Sequence, residues 1–253
     1  MKRVFVPRSF TRASVRSMCN TTGNNAPLTL YGHYVSQPFR SIAWLLKIKN
    51  QPFDFIRMDP VRGDTRAPEY TAKFPTALIP GLDDNGFYLA EGSAIAQYLC
   101  EKYKWDEWWP SGSDAESVQK RAKISEYLSS HHHTSRMVSA KGFRPFIVAA
   151  FKPETKWSAE TAKHNETPVL KIASRFEKTF LSQSDFVNGM NTPTIADFFA
   201  YPEYAQMSQC GLVDFSSLPR LSAWMKRMEA LPEHDDVHRA LMKLAALGGL
   251  VNQ

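Results

Sequence analysis

Ser36-Gln37-Pro38-Phe39-Arg40 follows a short alternating segment, Leu28-Thr29-Leu30-Tyr31, and opens an apolar helical pattern that stops near Asn50. Proline in the first turn of a helix loses no backbone hydrogen bond, so this junction predicts a strand, a turn and then a helix. Ser36 stands at the predicted helix start. A hydroxyl there either caps free backbone amides or meets a bound anion.

Outward from this junction the chain predicts the rest of a small sheet domain. Phe53 to Arg57 reads as a second strand, and residues 59–68 read as a loop punctuated by proline and glycine. Residues 77–82 and 87–89 flank Asp83-Asp84-Asn85-Gly86, a hairpin signal of the Asn-Gly type, and a helix follows from about 92 to 103. The helix between the first two strands predicts that they pair in parallel, and the hairpin predicts an antiparallel pair. We therefore predict a mixed four-stranded sheet.

The second half of the chain has helical periodicity and few strand signals. We predict helices near 114–140, 158–181, 194–209, 219–230 and 234–247. The fold class is therefore α+β, a mixed-sheet domain followed by an all-α domain. The predicted boundaries are an extension and linker at 1–27, the sheet domain at 28–104, a linker at 105–113 and the helical domain at 114–253.

Composition excludes several classes of protein. With 253 residues, 43% apolar and 22% charged, the chain matches a folded globular protein, and it has no apolar run long enough to span a membrane. Of the net charge of +6, +5 arises at residues 1–19, which hold five basic and no acidic residues, leaving 26 basic against 25 acidic residues elsewhere. We therefore expect no nucleic-acid partner. Three cysteines without metal-ligand or C-x-x-C spacing argue against a disulfide framework.

Residues 1–19 are rich in arginine and serine and lack acids, a composition typical of organellar presequences. We expect a mitochondrial presequence, and hence a location in the mitochondrial matrix. A plastid signal or a plain N-terminal tail remains an alternative. If the segment is a plain tail, we expect a cytoplasmic protein.

Three further segments carry a resemblance to a known family: Phe74-Pro75-Thr76-Ala77-Leu78-Ile79-Pro80, Leu89-Ala90-Glu91-Gly92-Ser93 and Thr194-Ile195-Ala196-Asp197. The last of these also predicts a capping box at a helix start. Together with Ser36-Gln37-Pro38 they resemble the glutathione transferases, and the Ser-Gln-Pro start is similar to the theta class. The resemblance covers residues 28 to about 240 and implies a thioredoxin-like first domain. It also implies a homodimer that conjugates glutathione to a small hydrophobic electrophile, and it leaves glutathione-dependent peroxide reduction open.

The resemblance assigns roles to individual residues. Ser36 would activate the thiol, and Ile79 before a cis Pro80 would hold the cysteinyl unit of glutathione. Glu91, Gly92 and Ser93 would bind the γ-glutamyl end, and Arg66 the glycyl carboxylate. Tyr31 and Tyr34 are alternatives for the activating hydroxyl, and a plain helix cap is the alternative role of Ser36.

The free energy of thiol ionisation explains why one hydroxyl is enough to activate glutathione. A free thiol with a pKa near ~8.5 is only a few per cent thiolate at neutral pH. Lowering that pKa by about two units requires about 2.7 kcal/mol. A hydrogen bond to a charged group supplies about 1.5–3 kcal/mol.

The run His131-His132-His133 invites a metal-site interpretation, which the geometry of a helix excludes because consecutive side chains diverge by about 100°. We expect no metal cofactor, and glutathione is the expected co-substrate. The run, continuing to Arg136, instead resembles a theta-class segment in which the arginine faces the active cleft. A surface ion pair is the alternative role of Arg136.

The sequence also leaves open a non-catalytic scaffold with the same fold. Gly92, Thr65 and Phe74 occupy positions where the family usually has serine, histidine and asparagine.

Overall fold

The sheet joins strands from the first third of the chain. The computed structural model describes residues 12–13, 27–60, 62–151 and 159–248. Its sheet has the order β1-β3-β2-β4-β5. The strands are β1 (Arg12–Ala13), β2 (Leu28–Gly32), β3 (Phe53–Arg57), β4 (Gly81–Asp84) and β5 (Phe87–Ala90). β2 pairs with β3 in parallel and with β4 antiparallel, which confirms the predicted mixed sheet.

Strand β1 is an addition to the four predicted strands. Arg12 pairs with Ile56 and Ala13 with Phe55, antiparallel to β3. Without this segment β3 would be an outer strand with one row of backbone groups unpaired, which is a ready template for another segment of chain. Most of the predicted extension and presequence, residues 1–11 and 14–26, lies outside the described residues.

Three helices complete the sheet domain: α1 (Gln37–Ile48), α2 (Pro68–Thr71) and α3 (Gly92–Tyr103). The hairpin turns at Asn85 and Gly86, with φ of 54° and 91°, as an Asn-Gly turn requires. The predicted strand at 77–82 is corrected in part, because the strand begins only at Gly81, after a cis peptide bond between Ile79 and Pro80.

The second domain is helical. Its helices are α4 (Ala115–Ser130), α5 (Arg136–Val138), α6 (Arg144–Phe151), α7 (Ala159–Phe180), α8 (Ile195–Gln209), α9 (Pro219–Glu229) and α10 (His234–Gly248). The predicted helix at 114–140 is broken after Ser130 by a 3-10 turn at His131–His133. Thr134 leaves the helical region with φ −119° and ψ −101°, while its hydroxyl donates to the Ser130 carbonyl at 2.9 Å. Such local bonding competes with a regular helix.

Helices α1 and α8 form the main contact between the two domains. Pro202 lies inside α8 and has no N–H, so the Phe198 carbonyl one turn earlier lacks its usual donor. The Ser41 hydroxyl of α1 donates to that carbonyl at 2.7 Å. Beside this bond, the fully buried Trp44 ring packs against Phe198 and Tyr201. A proline in one domain thus creates an acceptor for the other.

The predicted capping motif at the start of α8 is confirmed. The Asp197 carboxylate accepts from the backbone N–H of Thr194 at 2.9 Å, and Thr194 Oγ1 accepts from Ala196 N. The same carboxylate also accepts from Val187 N and from Trp224 Nε1, both at 2.9 Å. The motif therefore joins three segments of the helical domain and is structural.

Acid should weaken the packing of α10 through His238. Its ring is buried beside Trp44, and its Nε2 has no hydrogen-bond partner among the described residues. Burial, reinforced by Arg40, holds the pKa of His238 well below the ordinary 6.5. The unfolded chain takes up this proton below about pH 6.5 and the folded chain does not, so its contribution to stability is complete above that pH and falls as pH decreases.

We expect His238→Gln to flatten the fall in unfolding free energy below about pH 6.5, measured by urea denaturation across pH. The exposed His164→Gln is the matched control and should leave the slope unchanged. An unchanged slope in His238→Gln would contradict this assignment.

Candidate active site

Two adjoining cavities lie between the domains. The larger, about 780 Å³, is lined by residues of both domains, among them Ser36, Ile79 and Arg136. The smaller, about 250 Å³, is lined by residues that include Pro80, Glu91 and Glu203. Pro38, Leu78, Ile79 and Arg136 line both cavities. Together they form a continuous cleft.

Ser36 precedes α1 with extended backbone angles, φ −75° and ψ 126°. Its N–H donates to the His33 carbonyl at 2.8 Å, and its carbonyl accepts from Arg40 N at 3.0 Å. Within the described part of the chain, its hydroxyl makes no capping bond to the amides of α1. The capping alternative is therefore not realised, and Ser36 lines the larger cavity with an uncommitted hydroxyl.

The turn that carries Ser36 is held by its neighbours. Val35 N donates to His33 Nδ1 at 3.1 Å. The guanidinium of Arg40 donates from Nη1 to the carbonyls of Tyr34 and Val35, both at 2.9 Å. These bonds fix the backbone on the N-terminal side of the serine.

Arg40 also ties this turn to the helical domain. It is fully buried, and its Nη2 donates to the Pro202 carbonyl at 3.3 Å and to Gln206 Oε1 at 3.4 Å. Burial lowers the pKa of Arg40 to about 10, and the charge of Glu203 opposes this shift. The group therefore stays protonated at neutral pH, so a buried cation joins the Ser36 turn to α8.

Arg136 lies across the cleft from this turn and is held by two partners. Its Nη1 donates to Gln37 Oε1 at 2.6 Å and to Glu203 Oε1 at 3.2 Å. Gln37 follows Ser36 directly, and its amide contacts Gln206 of α8. The ion pair expected as the alternative for Arg136 is thus present, but it lies in the cleft and orients the guanidinium there.

The partner of Arg136, Glu203, is fully buried in α8. Its carboxylate lies 3.4 Å from His131 Nε2 and also accepts a hydrogen bond from Ser139. Burial raises the pKa of Glu203, but the His131 hydrogen bond and the Arg136 charge outweigh it and hold that pKa below its ordinary value. The carboxylate is therefore ionised at neutral pH and is a permanent counter-ion at the cleft.

The start of α3 forms the wall of the smaller cavity. Glu91 precedes the helix with φ 67° and ψ 112°, a left-handed conformation that non-glycine residues rarely adopt. Gly92 and Ser93 present the first backbone amides of α3 to the same cavity. Free amides at a helix start attract an anion, and an adjacent carboxylate attracts a cation. This wall is suited to an amino acid zwitterion.

Packing explains why residue 92 is glycine. A Cβ at this position would lie 2.9 Å from Phe199 Cε1 and 3.0 Å from Pro38 Cβ. The ring of Phe199 fills the space that a side chain would need. The backbone amide of Gly92 is retained.

The cis bond between Ile79 and Pro80 agrees with the expectation from the resemblance. The segment before it is anchored by Tyr70, whose hydroxyl donates to the Leu78 carbonyl at 2.6 Å. Phe74, which replaces the family's asparagine, is buried and packs its ring against Tyr70 and Tyr31 at 4.9 and 5.4 Å. An aromatic cluster thus supports the Ile79 segment.

Arg66 is not brought to the cleft. It is exposed in a 3-10 turn, Asp64–Arg66, and among the described residues it lines neither of the two cavities. Arg57 and Arg62 line the larger cavity instead. The predicted role of Arg66 therefore has no support from these cavities, since Thr65, and not Arg66, is the buried residue of this turn.

The two tyrosines considered as alternatives to Ser36 line neither cavity among the described residues. The hydroxyl of Tyr31 accepts from Lys73 Nζ at 2.9 Å. Tyr34 packs edge-on against Phe39 and Phe55, and burial raises its pKa to about 12. Both are therefore structural side chains.

Sequence reasoning missed Gln37, Glu203 and Arg57. Glu203 carried a usable signal, because a charge in the apolar pattern of α8 needs a partner when buried. Gln37 and Arg57 carried no signal beyond their neighbourhood in the chain. No group of three or more histidine, cysteine or acidic side chains in the described ranges is placed to hold a metal ion. No helix in those ranges has the length and apolarity needed to cross a membrane.

The chain thus has a thioredoxin-like sheet domain followed by an all-α domain. The cleft between them is lined by an uncapped serine, a cis proline and a wall suited to a zwitterion. Two family descriptions match: glutathione S-transferase N-terminal domain over residues 30–108, and glutathione S-transferase C-terminal domain over residues 138–232. The chain belongs to the glutathione S-transferase family.

Similar proteins include theta-class members. Glutathione S-transferase theta-1 of Rattus norvegicus is 30% identical over 227 residues, covering 86% of this chain and 90% of the relative. Theta-2 of Homo sapiens is 32% identical over 206 residues, covering 80% and 81%. The human theta-2 structure, described as a complex with glutathione and an unknown ligand, is 29% identical, covers 88% of this chain and 90% of its own and has a TM-score of 0.72.

We expect Arg40→Lys to destabilise the fold by about 2 kcal/mol, because an ammonium cannot reach the turn carbonyls and α8 together. Urea denaturation measures the change. The exposed Arg175→Lys is the matched control and should lie within about 0.5 kcal/mol of the parent protein. Equal stability of the two variants would contradict the role assigned to Arg40.

Proposed function

We propose that this protein conjugates glutathione to small electrophiles. The thiolate attacks an electrophilic carbon, a carbon–sulfur bond forms, the leaving group departs with its electron pair and the thiol proton passes to solvent. The observation that carries the proposal is the hydroxyl of Ser36, which lines the larger cavity without capping its own helix.

The smaller cavity is suited to the γ-glutamyl end of glutathione. The amides of Gly92 and Ser93 would receive its carboxylate, and the Glu91 carboxylate would receive its ammonium. The backbone of Ile79, which lines both cavities, would pair with the cysteinyl unit like an added strand. This arrangement sets the sulfur in the larger cavity near Ser36.

The glycyl carboxylate needs a cation in the larger cavity. We assign this role to Arg57 and Arg62 in place of Arg66, because both line the cavity that Ser36 lines. Arg62 lies 3.6 Å from Asp59, so its charge is partly balanced. Arg136, fixed by Gln37 and Glu203, would stabilise negative charge on the sulfur or on the leaving group.

We expect Ser36→Ala to reduce kcat/KM with an aryl halide about 10- to 100-fold at neutral pH, because one hydrogen bond to a charged sulfur is lost. Ultraviolet absorbance of bound thiolate, followed against pH, should show a raised thiol pKa. Tyr34→Phe is the control and should leave both readings unchanged. Full activity of Ser36→Ala would remove the serine from the mechanism.

Retention on immobilised glutathione distinguishes the enzyme from the scaffold alternative. We expect the parent protein and Ser36→Ala both to be retained, since the serine acts on the sulfur and not on the γ-glutamyl end.

A hydroperoxide assay with glutathione tests the second activity, peroxide reduction. Loss of that activity in Ser36→Ala would tie both reactions to one thiolate.

The family resemblance also supports a homodimer, and the arginine-rich N-terminal segment supports a mitochondrial location. Sedimentation equilibrium of the purified chain should give twice the chain mass. Mass spectrometry of the protein from its natural source should show an N-terminus beyond residue 19, and the processed protein then lacks β1 and has β3 as an outer strand. A monomer or an intact N-terminus would overturn the respective proposal.

A further inference from the structure

The larger cavity has an uneven distribution of charge. Its described lining residues include five cationic side chains and a single acidic one, Asp59. The five are Arg57, Arg62, Arg136, Arg144 and Lys243. The chain outside residues 1–19 is nearly neutral, with 26 basic against 25 acidic residues. The excess is therefore local to the cleft.

Three of these cations already have a partner, either an assigned group of glutathione or a side chain of the protein. Arg57 and Arg62 lie on the sheet-domain side, where the glycyl carboxylate is assigned. Arg136 is paired with Glu203. The other two cations, Arg144 and Lys243, lie on the helical-domain side, in α6 and α10. They have no ion pair or hydrogen bond with another described side chain.

The wall around these two cations is apolar. Phe143, Ile147, Ala140 and Ala240 line the same side of the cavity. Phe143 is almost fully buried, so its ring belongs to the wall of the cavity and not to solvent. A ligand on this wall would meet an apolar surface and two uncompensated positive charges.

We propose that the second substrate is an apolar or aromatic electrophile carrying an oxyanionic group, such as a carboxylate, that Arg144 and Lys243 recognise. This proposal rests on the proposed function, and it names the class of electrophile. The anionic group is on the part of the substrate that is kept. It stays on the conjugate after the carbon–sulfur bond forms and the leaving group departs.

A matched pair of substrates tests the proposal with the full-length protein. Chlorodinitrobenzene is neutral, and chlorodinitrobenzoate carries one carboxylate on the same reacting ring. The measured quantity is the kcat/KM of the anionic substrate divided by that of the neutral one, each corrected for its uncatalysed rate. In the parent protein we expect this ratio to exceed one and to fall as ionic strength increases.

Arg144→Gln and Lys243→Gln should each lower the ratio about threefold, and the double variant about tenfold, as solvent-exposed charge contacts do. Activity with the neutral substrate should change little. Arg175→Gln removes a charge from an exposed position of α7 outside the cavity lining and should leave the ratio unchanged. An unchanged ratio in the double variant would overturn the proposal.

Binding of the two conjugates separates this proposal from the proposed function. Isothermal titration with dinitrophenyl-glutathione and with its carboxylate analogue needs no turnover. Tighter binding of the carboxylate conjugate, lost in the double variant, supports the proposal even if neither electrophile is turned over. Equal binding of both conjugates to the parent protein and the double variant would overturn it.

Discussion

The buried guanidinium of Arg40 is the interaction on which the cleft depends. It donates to the two carbonyls before Ser36 and, from its other nitrogen, to α8 of the helical domain. A buried cation that loses its acceptors is costly, so the turn and α8 hold each other in place. Arg40 thereby helps to fix the distance between the serine and the helical domain.

A second set of contacts runs in parallel to the first. Gln37 contacts Gln206 and Arg136, and Arg136 contacts the buried Glu203. The residue next to Ser36 is therefore joined to Arg136, to which we assign the stabilisation of negative charge. Preorganisation of this kind lets polar groups act without rearranging during the reaction.

Local patterns were enough to predict most of the fold. Period-two and period-3.6 patterns, the Asn-Gly turn and the Thr194–Asp197 cap placed the four main strands and most helices within a few residues. Three elements were wrong or missed. Helix α6 (Arg144–Phe151) lies between two predicted helices and was not predicted. The other two depend on individual side-chain or strand contacts that periodicity does not contain. The break after Ser130 follows from a threonine side chain, and β1 exists only by pairing with the edge of β3.

The candidate site residues likewise fall into those that local motifs predict and those that depend on tertiary contacts. The predicted site residues that line the cleft each belong to a recognisable local motif. They are Ser36, Ile79, Pro80, Glu91, Gly92, Ser93 and Arg136. Arg66 does not line the cleft, because a loop between a strand and a short helix leaves side-chain direction to tertiary packing. Gln37 and Arg57 required the meeting of two domains, which no local pattern contains. For Glu203 the local pattern indicated that a buried charge needs a partner, but not which partner.

The contact between Gly92 and Phe199 joins two positions that are more than a hundred residues apart in the chain. Because the phenylalanine ring occupies the volume of a side chain at 92, neither position is free to change alone. A larger residue at 92 would need a smaller one at 199 and a small shift of Pro38, whose Cβ would lie 3.0 Å away, and positions 92 and 199 should covary among related chains. Gly92, which stands where the family usually has serine, is then one of two coupled positions. The effect of a substitution at 92 depends on the side chain at 199.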